Sequence, residues 1–74
     1  MKKKLLDALR ARYEADKAES EATLQVYLEN AAGIGEHPQI LDEMSKQVDK
    51  VSAAEDNLAV IARISKPDLP DQLG

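Results

Sequence analysis

"NAAGIGEHPQIL", residues 30–41, is the stretch that decides the fold, because it places two glycines and a proline between two long segments rich in Ala, Leu, Glu and Lys. Gly33 stands where a helix commonly ends in a left-handed residue, and Ile34 follows where an apolar side chain packs back on the last turn. Pro38 suits the first position of a second helix, and Asp42 soon after it favours the positive end of the helix dipole. The stretch therefore predicts a corner between two helices.

A phosphate-binding loop is the functional alternative for the same stretch. Such a loop needs a longer glycine pattern that follows a strand and precedes a helix. Here Gly33-Ile34-Gly35 follows a helix-forming segment, and the further glycine and the lysine of those patterns do not follow. We therefore expect Gly33, Gly35 and Pro38 to form a turn and to bind no phosphate.

The segments on either side of the corner have the composition of long helices. No Gly or Pro occurs from Lys3 to Ala32, and strong helix formers dominate. Asp7 with Arg10, Arg10 with Glu14, and Glu14 with Lys17 stand three or four residues apart, which adds local support. Pro67 ends the second segment. The predicted organisation is a helical hairpin over 1–66, with helix 1 about 3–32, turn 33–37 and helix 2 about 38–65, and an extended or disordered tail over 67–74.

Two helices of similar length joined by a short turn predict an all-α fold, the antiparallel two-helix hairpin. Apolar residues at three- and four-residue spacing supply the stripe by which each helix contacts the other. The predicted hairpin core comprises Leu6, Leu9, Tyr13, Leu24, Tyr27, Leu28, Leu41, Met44, Val48, Val51, Leu58 and Ile61. Glu55 interrupts the stripe of helix 2, and we expect Arg12 or Lys17 to reach it across the hairpin and so to set register or oligomeric state.

Helix 1 has a second face. Its alanines recur at spacings of three and four, nearly opposite the core stripe, and alanine allows a further helix to approach closely. The candidate oligomer seam is Ala8, Ala11, Ala15, Ala18 and Ala22. The alternative is that these alanines are simply good helix formers on an exposed surface, since patterning alone does not separate the two.

The chain is short for an independent fold. With 74 residues and no cysteine, it lies where one core rarely supplies more than about 3–5 kcal/mol without a disulfide, a metal or another subunit. A lone hairpin also leaves much of each apolar stripe in water. We therefore expect a homodimer or higher oligomer, with dimerisation producing a four-helix bundle.

Charge and hydropathy limit the kinds of partner that this chain is expected to bind. The net charge of −4 argues against non-specific binding of nucleic acid, which needs an excess of Lys and Arg. No apolar run approaches the length of a membrane span, so we expect no membrane and a cytoplasmic location. The end that bears both termini is nevertheless basic, with Lys2, Lys3, Lys4, Arg10, Arg12, Arg63 and Lys66. That basic end is the alternative contact for nucleic acid.

Side chains for catalysis or metal binding are few. His37 is the single histidine, and with Glu36 it falls short of the three or four ligands of a zinc site. A nucleophile with a matched base cannot be assembled, and a two-helix rod offers little concavity to shift the pKa of a carboxylate. We therefore expect no enzyme, no catalytic residue, no cofactor and no metal.

Two resemblances add to this prediction. The segments "VYLENAAGIGEHPQILDEM" (26–44) and "VSAAEDNLAVI" (51–61) resemble small uncharacterised helical-hairpin proteins of T-even-like tailed bacteriophages, marine ones especially, over roughly residues 5–64. That resemblance implies a phage protein made in the bacterial host's cytoplasm, and it implies no activity and no functional residues.

In architecture the chain is also similar to the Rop family, short acidic hairpins that dimerise into four-helix bundles and regulate RNA. Fold analogy is a weak guide to function, and the RNA-contacting face of that family has no match among these residues. The prediction is a self-associating, non-enzymatic module for protein–protein interaction or structure, with another protein as a further partner. A Rop-like nucleic-acid-binding regulator is the alternative.

Overall fold

The computed structural model describes residues 1–30 and 39–66. They form two α-helices, α1 (Lys2–Glu29) and α2 (Gln39–Ser65), which pack against each other along their length. Arg10 bonds Ser65 and Lys17 bonds Glu55, so the helices run antiparallel. The predicted all-α hairpin is confirmed. In the described part of the chain, neither helix combines the length and the apolarity that crossing a membrane requires.

α1 ends at Glu29, three residues before the predicted end at 32. Asn30 caps the helix: its backbone N–H donates to the carbonyls of Tyr27 and Val26, both at 3.2 Å. Its side-chain Nδ2 also donates to the Val26 carbonyl, at 2.7 Å. The Val26 carbonyl thus accepts from both the backbone N–H and the side chain of Asn30, and asparagine is favoured at helix ends because its side chain bonds nearby backbone groups. The predicted turn residues Gly33, Gly35 and Pro38 lie outside the described residues.

The two helices differ in how their ends are stabilised. α2 has Asp42 in its first turn and Arg63 in its last, both of which match the helix dipole as predicted. α1 has no acidic residue in its first turn, and its N-cap, Met1, makes no side-chain capping bond. Lys3 and Arg10 instead bind Asp7, each at 3.0 Å. These local ion pairs therefore stabilise the first turns of α1, which lack a capping side chain.

The helix–helix contact is centred on small residues. Ser20 of α1 is 2% exposed, and Ala54 and Ile61 of α2 are 3% and 5% exposed. Because Ser20 and Ala54 carry short side chains and are nevertheless buried, the helices are close together at that level. The other predicted core residues on this contact are half-buried: Leu6, Leu9, Tyr13, Leu24, Tyr27, Met44, Val51 and Leu58.

Three residues predicted for the hairpin core are exposed. Leu28 is 56% exposed, Leu41 61% and Val48 53%, so placing them in the core was wrong. Each lies at the edge of its helix's apolar stripe, beyond the part that one neighbouring helix covers. A three- and four-residue pattern defines a stripe at least about 100° wide, and a single antiparallel partner buries only its centre.

The described residues form a single layer of helices. α1 and α2 pack side by side, and the described part of the chain supplies nothing that covers either broad face. Both broad faces of the hairpin are therefore at the surface. A stable domain usually buries its apolar faces between two layers of secondary structure, and this chain supplies one.

Candidate functional site

The alanine seam faces away from α2. Tyr13, Ser20 and Tyr27 follow each other at intervals of seven and lie on the α2 side of α1, where they are half-buried or buried. The alanines lie about half a turn away on the helical wheel, and all five are exposed: Ala8, Ala11, Ala15, Ala18 and Ala22. Their exposure is compatible with a seam and equally with the alternative, good helix formers on an open surface. A further helix covering them stays a prediction.

An ion pair crosses the hairpin at mid-length. Lys17 Nζ lies 3.1 Å from Glu55 Oε2, with side chains 33% and 54% exposed. From the sequence we expected either Arg12 or Lys17 to pair with Glu55, and in the structure Lys17 does so. Glu55 is not in the core, since it stands at the edge of α2 beside buried Ala54. The pair is solvent-accessible, and exposed pairs of this kind contribute about 0–1 kcal/mol.

The ion pair identifies one broad face of the hairpin. Residues seven apart on a helix share a side, so Leu24 lies on the side of Lys17, and Val48 and Leu41 lie on the side of Glu55. Towards the end of the hairpin that lacks the termini, this face becomes apolar. We call this surface the loop-end groove, and it comprises Leu24, Leu28, Leu41, Met44, Val48 and Val51.

Helical periodicity places the apolar residues of the loop-end groove on one face of the hairpin. Leu24, Met44 and Val51 form its half-buried floor, and exposed Leu28, Leu41 and Val48 form its sides. No member carries a charge. The three residues that were wrongly placed in the core are thus gathered on one face and at one end. A scattered set of exposed apolar side chains is ordinary on a protein surface, whereas a contiguous patch marks an interaction site.

The opposite broad face has a concavity of about 340 Å³ at the level of the buried small residues. Short side chains on both helices leave this space because they fill little of the surface between the backbones. Its lining comprises Tyr13, Asp16, Glu19, Ser20, Lys50, Ala53, Ala54 and Asn57. Asp16, Glu19 and Lys50 are exposed, so water screens their charges there.

The basic end is partly neutralised by its own carboxylate. Asp7 accepts bonds from Lys3 Nζ and Arg10 Nη1, both at 3.0 Å, and these two cations hold the pKa of Asp7 below its usual value, Lys3 contributing most. Arg10 also donates to Ser65 Oγ at 3.5 Å. Two of the seven predicted phosphate-binding cations are thus engaged within the hairpin. The nucleic-acid alternative stays a prediction.

The described residues hold no group of three or more His, Asp or Glu side chains placed to bind a metal ion. His37 and Glu36, the pair weighed as a partial metal site, lie outside the described residues. No buried side-chain nitrogen or oxygen within residues 1–30 and 39–66 lacks a hydrogen-bond partner.

The predicted core left out the two residues at the centre of the contact, Ser20 and Ala54, although both lie on the stripes by which the helices meet. Intervals of seven carry the signal that could have found them, since Ser20 lies between Tyr13 and Tyr27, and Ala54 lies seven before Ile61. Their small size and the polarity of serine hid them from a search for large apolar side chains. Where two helices lie close together, small side chains are the ones that fit between them and become buried.

Comparisons with protein families, with characterised proteins and with solved structures each find no match for this chain. The resemblance to small phage proteins therefore stays a prediction.

Proposed function

We propose that this chain is a non-enzymatic module for protein–protein interaction or structure that works by associating with itself. One observation carries the proposal, the amount of apolar side chain left in water. Within the described residues the buried apolar side chains are Ala54 and Ile61, while eight large apolar residues are exposed. These eight are Met1, Leu5, Val26, Leu28, Leu41, Val48, Val60 and Ile64.

Two buried side chains are too few for the fold. Fully burying an aliphatic side chain contributes about 1.5–3 kcal/mol, and ordering each residue costs a comparable conformational entropy. The half-buried residues along the contact add to this, but a single layer of two helices covers each of them on one side only. Association supplies the second layer and converts exposed apolar area into buried area.

Light scattering behind a sizing column, over a wide range of protein concentration, tests the proposal, with circular dichroism on the same samples. We expect a helical dimer or larger oligomer whose helicity falls when dilution dissociates it. A fully helical monomer at every concentration would contradict self-association. A gel shift with RNA that weakens steeply with salt would favour the nucleic-acid alternative instead.

A further inference from the structure

The loop-end groove and the alanine seam are two surfaces through which this chain could bind a second copy. They differ in the apolar area that each would bury. An alanine contributes one methyl group, whereas the groove presents three exposed and three half-buried side chains of Leu, Val and Met. Since the hydrophobic contribution scales with apolar area removed from water, the groove gains more from being covered.

We propose that a second copy of this chain docks on the loop-end groove, groove against groove about a two-fold axis, to form the second helical layer. This inference rests on the proposed function and names its surface. In such an isologous contact the same patch serves both copies, so Val48 and Leu41 of each copy pack on the groove of the other. The outcome is a four-helix bundle over the loop half of the hairpin.

Charge permits this contact between identical chains. The chain carries a net charge of −4, so two copies repel each other at long range, yet the groove itself is uncharged. At its margin Lys17 and Glu55 neutralise each other at 3.1 Å. Exposed Glu21, seven residues before Leu28, borders the groove, but none of the six groove members brings a like charge into the contact. Added salt, which screens the repulsion between the two copies, strengthens the contact.

Residues 67–74 are too short to cover the whole groove. The last described residue, Lys66, stands at the far end of α2, and Leu41 is about 37 Å away along the helix at 1.5 Å per residue. Eight residues, even fully extended, span at most about 28 Å. These residues fall short of Leu41, and a second copy has an apolar surface of matching size.

Val48→Glu tests the proposal, and Val60→Glu is its matched control. Both change an exposed valine of α2 to glutamate, but Val60 lies about 120° around the helix, away from the groove. In a symmetric contact Val48→Glu places two uncompensated charges in one apolar interface. We expect it to weaken association by at least about a hundredfold, and Val60→Glu to change it little.

A second readout does not depend on the variants' stability. The chain has no cysteine, so Val48→Cys and Val60→Cys each introduce a single thiol. We expect alkylation of Cys at position 48 to slow as protein concentration rises, because association covers it. Alkylation at position 60 should slow much less, because only the unfolding of dissociated chains, and no contact with a second copy, changes its exposure.

The outcomes separate this inference from the proposed function. A wild-type monomer at all concentrations overturns both. A wild-type oligomer that survives Val48→Glu but is split by Ala15→Glu with Ala22→Glu overturns the groove and leaves self-association standing on the alanine seam. Equal disruption by Val48→Glu and Val60→Glu also overturns the groove, because the effect then reflects charge and not position.

Discussion

Replacing Ile61 by alanine tests the rotation of α2 in the hairpin, with Ile64→Ala as its control. The two isoleucines are one turn apart on the same helix, but Ile61 is 5% exposed and Ile64 40% exposed. Each substitution removes three carbons, worth about 2.4 kcal/mol if wholly buried, at about 0.8 kcal/mol per buried carbon. The gain in helix propensity from isoleucine to alanine is the same in both and cancels in the comparison.

The burial of each side chain sets the expected magnitudes. Ile61→Ala should lower the free energy of unfolding by about 2–3 kcal/mol, which combines nearly the full transfer term with a small cavity term. Ile64→Ala should lower it by about 1–1.5 kcal/mol, because part of its side chain is already in water. Against a total stability of about 3–5 kcal/mol, the first change leaves a barely folded hairpin.

Thermal and urea denaturation followed by circular dichroism, at one protein concentration for all samples, measure the difference. A gap of about 1 kcal/mol or more corresponds to about 4–8 °C in melting temperature for a chain of this size. Equal losses in the two variants would mean that Ile61 does not face α1. The rotation of α2, and with it the position of the loop-end groove, would then be wrong.

Two further predictions concern charged residues. Glu55→Leu should raise the melting temperature and tighten association, because it extends the row of Leu41 and Val48 and gives up an exposed ion pair worth at most about 1 kcal/mol. Glu55→Gln, which loses the charge without adding apolar area, should not raise it, and a lower melting temperature for Glu55→Leu would refute the assignment. Lys3 and Arg10 lower the pKa of Asp7 in the folded chain. The ion pairs of Asp7 therefore stabilise the fold fully above about pH 4, the usual pKa of an aspartate. This stabilisation is lost as the pH falls through the lower pKa that Asp7 has in the folded chain. The difference in melting temperature between the wild type and Asp7→Asn should therefore shrink below about pH 4, and a difference that stays constant down to acid pH would contradict these contacts.

Local features of the hairpin could be predicted from the sequence. The number of helices, their extent to within three residues of the observed ends and the Asp7–Arg10 pair all depend on spacings within one helix. Helical periodicity fixes which residues share a face whatever the helix packs against. The early end of α1 escaped prediction because the first glycine, Gly33, was taken as the end of the helix, whereas Asn30 caps it three residues earlier.

The rest depended on how the two helices meet. Which residues of a wide apolar stripe are covered is decided by the rotation and distance of the neighbouring helix, and sequence periodicity contains neither. The two helices bury Ser20 and Ala54 between them, and Leu28, Leu41 and Val48 therefore stay at the surface on one face. For the same reason both Arg12 and Lys17 were candidates for Glu55 from the sequence, and the relative rotation of the two helices brings Lys17 within reach.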